Sequence, residues 1–201
     1  SVINDADALI SEQGYTLSTK LTKGQTYKAT FWAQNQNCTA YAVSDDMKVT
    51  VDYNGINNDE SRDAFYATSD VFSVNSPSIV TVTLRRPFAQ VNVGANEWDV
   101  EYAKEAGMEV KTSSATVKAV PNCINLFDGS LEGAVDVVYT ASAKPEEYLT
   151  VDVDRNGEDE VYDWMSMSYI LAGTEASRHS FDLYMINKNN MAVMAENSGL
   201  S

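Results

Sequence analysis

The feature that most restricts how this chain can fold is a period-two alternation of apolar and polar side chains, cut into short segments by Gly, Asn, Asp and Ser clusters. Successive side chains of a strand point to opposite faces, so such alternation codes half-buried strands and not amphipathic helices. Tyr27, Ala29, Phe31 and Ala33 form one face of a segment that follows a Lys23-Gly24 turn, with Lys28, Thr30, Trp32 and Gln34 opposite. Met47, Val49, Val51 and Tyr53 repeat the scheme up to the turn signal Asn54-Gly55, and the polar stretch from Ile56 to Asp63 is expected to be loop. Val80, Val82 and Leu84 alternate with Ile79, Thr81 and Thr83 in a further expected strand. Pro87 removes a ladder donor and marks an edge or a bulge before the strand resumes at Phe88.

A chain of 201 residues suits two domains of about a hundred residues each, and Gly94 closes the first block. The expected domains are therefore 1–94 and 95–201. The second opens with the best helix candidate: Asn96 can cap, Glu97 and Asp99 suit the positive end of the helix, and Gly107 can terminate it. Trp98, Tyr102 and Ala106 fall four apart on one face, expected to lie against a sheet. Strand patterns then return at Val110 to Thr112, Ala115-Val117-Ala119 and Val135-Val137-Tyr139, with a hairpin at Asp128-Gly129. Leu149, Val151 and Val153 lead through an acidic turn to Met165, Met167, Tyr169 and Leu171, followed by Phe181, Leu183 and Met185 and a turn at Asn187 to Asn190. The fold class expected is all-β, as two tandem sandwiches with one short helix at the start of the second.

Charge narrows the function. A formal net charge of −15 and a pI near 4.3 argue against nucleic acid and anionic membranes, and the only tight basic pair is Arg85-Arg86. Nothing resembles a membrane span of about 18 apolar residues. Cys38 and Cys123 fall in different expected domains and are expected to be buried free thiols. The single histidine, His179, lies in a polar stretch and is expected to be a solvated loop residue. No nucleophile elbow, zinc-binding helix pair or phosphate-binding loop is present, so no catalytic residue is named; a pair of carboxylates across a cleft stays open.

The sharpest local motif is Asp152 to Asp163, which places oxygen side chains at loop positions one, three, five, nine and twelve with Gly157 at six. A calcium loop uses that spacing, and Asp152, Asp154, Asn156 and Asp163 are its candidate ligands. The flanks are strands and the last ligand is Asp, so an acidic hairpin turn uses the same residues. Otherwise no cofactor is expected. Trp32, Trp98 and Trp164 each lie in a patterned element and are expected to pack in the core.

Several segments taken in order carry a resemblance. Gly24 to Gln34, Cys38 to Tyr41, Asp59 to Phe65, the join from Leu84 to Gly94, and Trp164 to Leu171 are together similar to the fimbrillin-like (type V pilus) subunits and adhesins of Bacteroidales bacteria. The resemblance implies two transthyretin-like Greek-key sandwiches in tandem, exported to the cell surface or outer membrane and contributing to fimbriae or cell adhesion. In that family a strand from one subunit fills a groove in the next. Its implied partners are other pilus subunits or surface ligands of a host or another bacterium. The family's lipid anchor is expected at a leader cysteine that this chain does not carry, and the tail from Asn189 to Ser201 departs from the family's closing strand. The leading expectation is a non-enzymatic structural or adhesive subunit; the alternative is a carbohydrate-binding surface module assisted by calcium.

Overall fold

The computed structural model describes residues 14–172, 179–187 and 192–200. Its strands are β1 (Thr26–Tyr27), β2 (Thr30–Gln34), β3 (Tyr41–Val43), β4 (Lys48–Val51), β5 (Gly55–Ile56), β6 (Ala64–Thr68), β7 (Phe72–Ser73) and β8 (Phe88–Ala95). After helix α1 (Glu97–Glu105) come β9 (Val110–Val120), β10 (Cys123–Asn125), β11 (Leu131–Glu132), β12 (Val135–Ala143), β13 (Tyr148–Val151), β14 (Glu160–Leu171), β15 (His179–Asn187) and β16 (Ala192–Leu200). A turn of 3-10 helix, Glu60–Arg62, precedes β6. Among the described residues the protein is all-β with one α-helix, as the alternation requires.

A five-stranded sheet in the order β16-β15-β9-β12-β5 faces a three-stranded sheet, β13-β14-β8. Ala115, Val117, Val137, Tyr139, Phe181 and Leu183 of the larger sheet are buried in one cluster with Met167, Tyr169 and Leu171 of β14. The Tyr139 hydroxyl donates to the Tyr169 carbonyl across the layers at 2.7 Å. A four-stranded sheet, β11-β10-β4-β3, adds Val49, Val51 and Ile124 to the same cluster, and the pairs β1-β7 and β2-β6 complete the molecule among the described residues. Fully burying each such Val, Leu or Phe side chain contributes roughly 1.5–3 kcal/mol, which makes this shared core the main source of stability.

The expected boundary after Gly94 has no counterpart in the strand pairing. β4 pairs with β10, β5 pairs in parallel with β12, and β8 pairs along its length with β14. The reason lies in β14, where Trp164 to Leu171 are all buried, so both faces need covering. Alternation in this strand suggested one wet face; instead Ser166 and Ser168 are enclosed by residues from the first half of the chain.

Several local expectations hold. Asn96 caps α1 by accepting from the Trp98 N–H at 2.9 Å, and Asp128 holds the turn between β10 and β11 through Ser130. Others change. Trp98 is 72% exposed and Tyr102 is 68% exposed, so the α1 stripe does not lie against a sheet. In β2, Trp32 packs against the core as expected of it, its ring edge-on to Tyr41 at 5.3 Å and its Nε1 donating to Gln34, whereas Phe31 on the opposite face is not part of that cluster. The Asn187-to-Asn190 turn lies largely outside the described residues, whereas part of the tail forms β16 at a sheet edge.

Because sheets and core are shared across position 94, the full chain is expected to unfold in one cooperative step. Tryptophan fluorescence and far-ultraviolet circular dichroism in urea should give coincident transitions; two separated transitions would show independent halves.

Candidate functional site

The loop expected between Ile56 and Asp63 is polar and only partly solvated, with Ile56 and Glu60 exposed but Asn57 and Arg62 buried. Gly55 and Ile56 run parallel to β12, which turns the following residues inward, and Asn57 is 1% exposed. Its amide donates to Ser113 and Ser166 and accepts from Ser168, at 2.6–3.1 Å. Asn58, at φ 57°, donates to Ser113, Ser142 and the Ala143 carbonyl and accepts from the Met167 N–H at 2.8 Å. Two consecutive asparagines thereby satisfy buried groups on β9 and β14 and half-exposed ones on β12 at once.

Arg62 closes the loop. Asp59 caps the 3-10 turn through the Ser61 N–H, and this aims the Arg62 side chain back into the body. Its guanidinium donates to the carbonyls of Asp52 and Asn54, each at 2.9 Å, and lies 5.1 Å from the centre of the Tyr139 ring. Asp59 supplies the counter-charge, 3.5 Å from Nε. A Cβ at Gly55 would stand 2.4 Å from an Arg62 Nη, so the Asn54-Gly55 pair serves close approach and not the hairpin its sequence suggests. Around this cation, burial pushes the phenols of Tyr41, Tyr53 and Tyr139 well above their usual range and that of Tyr169 up to about 12. These are neutral packing groups that bond outward: Tyr53 donates to the Pro121 carbonyl and accepts from the Leu171 N–H.

Beside the loop lies an open cavity of about 390 Å³, lined among others by Asp59, Glu60, Lys144, Glu146, Glu147 and Trp164. Trp164 itself is 9% exposed and donates its indole N–H to the Ser166 carbonyl. The cavity offers carboxylates, one ammonium group and a tryptophan edge. That is hydrogen-bonding chemistry for a hydroxylated ligand and holds no nucleophile paired with a base.

The candidate calcium ligands divide. Asp152, Asp154 and Asn156 meet in the turn between β13 and β14, but Asp152 accepts the N–H groups of Asn156 and Gly157, at 3.0 and 2.9 Å. Asp154 accepts from the Asn156 N–H and side-chain amide. Asp163 lies in β14, opposite Tyr148, with Lys144 3.8 Å from its carboxylate. Among the described residues no three His, Cys, Asp or Glu side chains are grouped to hold a metal ion. The acidic hairpin accounts for these side chains by capping its own backbone.

His179 is placed in β15, opposite Leu200, and not in a solvated loop; its Nδ1 lies 3.2 Å from the Lys118 carbonyl. Cys38 is buried, Cys123 is half-buried, and both are free. No helix among the described residues is long and apolar enough to cross a membrane.

The segment 75–84 departs most from expectation. Its alternation is strand chemistry, yet no hydrogen bond joins it to any described residue. Pairing resumes at Arg85, which exchanges two backbone bonds with Tyr66 at 2.9 Å each. Ile79 is 90% exposed, Thr81 and Thr83 face water, and Val82 and Leu84 are half-buried. Val82 and Leu84 therefore rest partly on the body, Val80 is 40% exposed, and the segment's backbone is unmatched among the described residues.

A family model described as a family of unknown function (DUF6562) matches residues 2–199. The chain belongs to this family. No curated protein and no solved structure matches it. The family match spans the inward loop, the segment 75–84 and α1 alike.

Arg62→Ala should lower the unfolding free energy by about 3 kcal/mol, because it orphans two part-buried carbonyls and the Asp59 charge and empties a buried site. Arg62→Lys should recover less than half of that loss, since an ammonium cannot fork onto both carbonyls. Urea denaturation of the three proteins measures both.

Proposed function

We propose that this chain is a fimbrillin-like surface subunit, structural or adhesive, that joins its neighbours by strand addition and turns over no substrate. The observation that carries this reading is the segment 75–84: apolar on alternate positions at Val80, Val82 and Leu84, in no regular element, and without backbone partners among the described residues. Unpaired N–H and C=O groups in a strand-coded segment are satisfied most fully by another strand, so an incoming extended segment is the ligand this chemistry selects. A second open border is β16, a nine-residue strand at the sheet edge that pairs only with β15 among the described strands.

In this reading the protein is exported, acts at the cell surface or outer membrane, and is held there by a lipid anchor or by the fibre. The net charge of −15 keeps unassembled chains soluble and apart from nucleic acid. Its partners are other subunits or surface ligands, and it needs no cofactor. The transthyretin-like sandwiches implied by the family resemblance would here be joined through the shared pairs β4-β10, β5-β12 and β8-β14.

The cavity beside Trp164 favours a second reading, a carbohydrate-binding module. Its carboxylates suit sugar hydroxyls, although the tryptophan offers little exposed face for stacking.

Thr81→Pro/Thr83→Pro tests the first reading. Both residues are exposed and make no hydrogen bonds, so the monomer's melting temperature should stay nearly unchanged. Loss of two backbone donors should abolish concentration-dependent assembly seen by sedimentation. Assembly at wild-type strength in this variant would contradict strand addition at 75–84.

A further inference from the structure

The aromatic stripe of α1 is unpartnered, and its surroundings point to what covers it. Trp98 and Tyr102 lie one turn apart and both are exposed, while Glu101 and Glu105 fall on the same stripe at spacings of three. Glu97, Asp99, Glu101 and Glu105 against Lys104 leave the helix at 1 − 4 = −3. No residue of α1 is buried. A large apolar pair framed by carboxylates is complementary to a cationic, partly apolar surface, where ammonium groups can sit over the rings and pair with the acids.

This chain carries one such surface. Residues 14–44 hold Lys20, Lys23 and Lys28 and no Asp or Glu, a net +3 inside a protein of net −15. Lys20 and Lys23 are exposed, form no ion pair among the described residues, and flank the exposed Gly24 turn, with Leu17 41% exposed nearby. Strand pairing leads away from α1 to reach this segment. β8 runs from Ala95, next to the helix, to Phe88; Arg85 then joins Tyr66, and Ser69 and Val74 bond to Ala29, Gly24 and Gln25. The two surfaces are different patches, so a contact between them is heterologous and repeats from copy to copy without using itself up.

We propose that the Trp98/Tyr102 face of α1 docks the Lys20–Lys23 segment of a second copy of this chain, forming a head-to-tail contact. The inference rests on the assembly reading above and names a contact that orients subunits before or beside strand addition. Electrostatic contacts of this kind raise the rate of encounter and fix its orientation, and salt screens them.

Charge reversal tests the contact in the full-length protein by sedimentation velocity at low and high salt. Glu101→Lys/Glu105→Lys and Lys20→Glu/Lys23→Glu should each weaken self-association at low salt by roughly tenfold or more. An equimolar mixture of the two variants should regain association, because each supplies the partner charge the other lost. Trp98→Ala/Tyr102→Ala should weaken association without changing its salt dependence. All these positions are exposed, and unchanged near-ultraviolet circular dichroism verifies that the variants are folded. Association that ignores both reversals but is lost in Thr81→Pro/Thr83→Pro overturns the α1 contact and leaves the strand-addition reading standing. Failure of the mixture to recover overturns the contact, and absence of any association at any salt overturns both. A shift of Trp98 emission on adding a neutral oligosaccharide, with none on self-association, assigns the face to a glycan and overturns the second-copy occupant.

Discussion

The structure depends on a polar plug: within residues 52–63 of the first half of the chain, Asn57 and Arg62 are buried and Asn58 half-buried against strands of the second. Asn57 and Asn58 satisfy serines and backbone groups on β9, β12 and β14, and Arg62 ties the loop's own carbonyls while resting on Tyr139. An apolar loop of that length could not enter such a site, because the strands it meets present hydroxyls and peptide groups that need partners. Apolar packing supplies most of the free energy, but the plug fixes how the two halves of the chain sit together. Once it is seated, β5 must lie beside β12, and β8 and β14 are brought into register beneath it.

Much of the fold was legible in the sequence where one face is wet. Val49-Val51, Val137-Tyr139 and Phe181-Leu183 alternate and bury as the pattern requires. The hairpin at Asp128-Gly129 and the cap at Asn96 follow from side chains that bond backbone within two residues, so no distant partner was needed to foresee them. Illegible features depend on what arrives from elsewhere. Ser166 and Ser168 look like a solvated face until Asn57 is placed over them, and Asn54-Gly55 looks like a hairpin until Arg62 occupies the space a side chain would take. Arg62 itself carried no local signal beyond a charged residue in a loop. Trp98 and Tyr102 were misplaced for the converse reason: helical spacing marks an apolar stripe but cannot say whether the stripe is covered within the chain or outside it.

The features left over after the core is built share one character. Among the described residues, the segment 75–84 has strand chemistry without a strand partner, β16 pairs on one side only, and α1 shows aromatic rings to water. Carboxylates that could have been ligands are engaged by the backbone in the Asp152 turn, and the buried tyrosines are held neutral by their surroundings. Under the proposed strand-addition reading, these outward features are the ones available for contact with another chain.

Amide hydrogen exchange followed by mass spectrometry addresses that claim most directly, because it reads backbone pairing itself. In the monomer, amides of 75–84 should exchange at nearly unprotected rates while β9 and β14 are protected, and on assembly the same segment should become protected. Protection of 75–84 already in the monomer, or free exchange that persists in assembled material, would contradict the account.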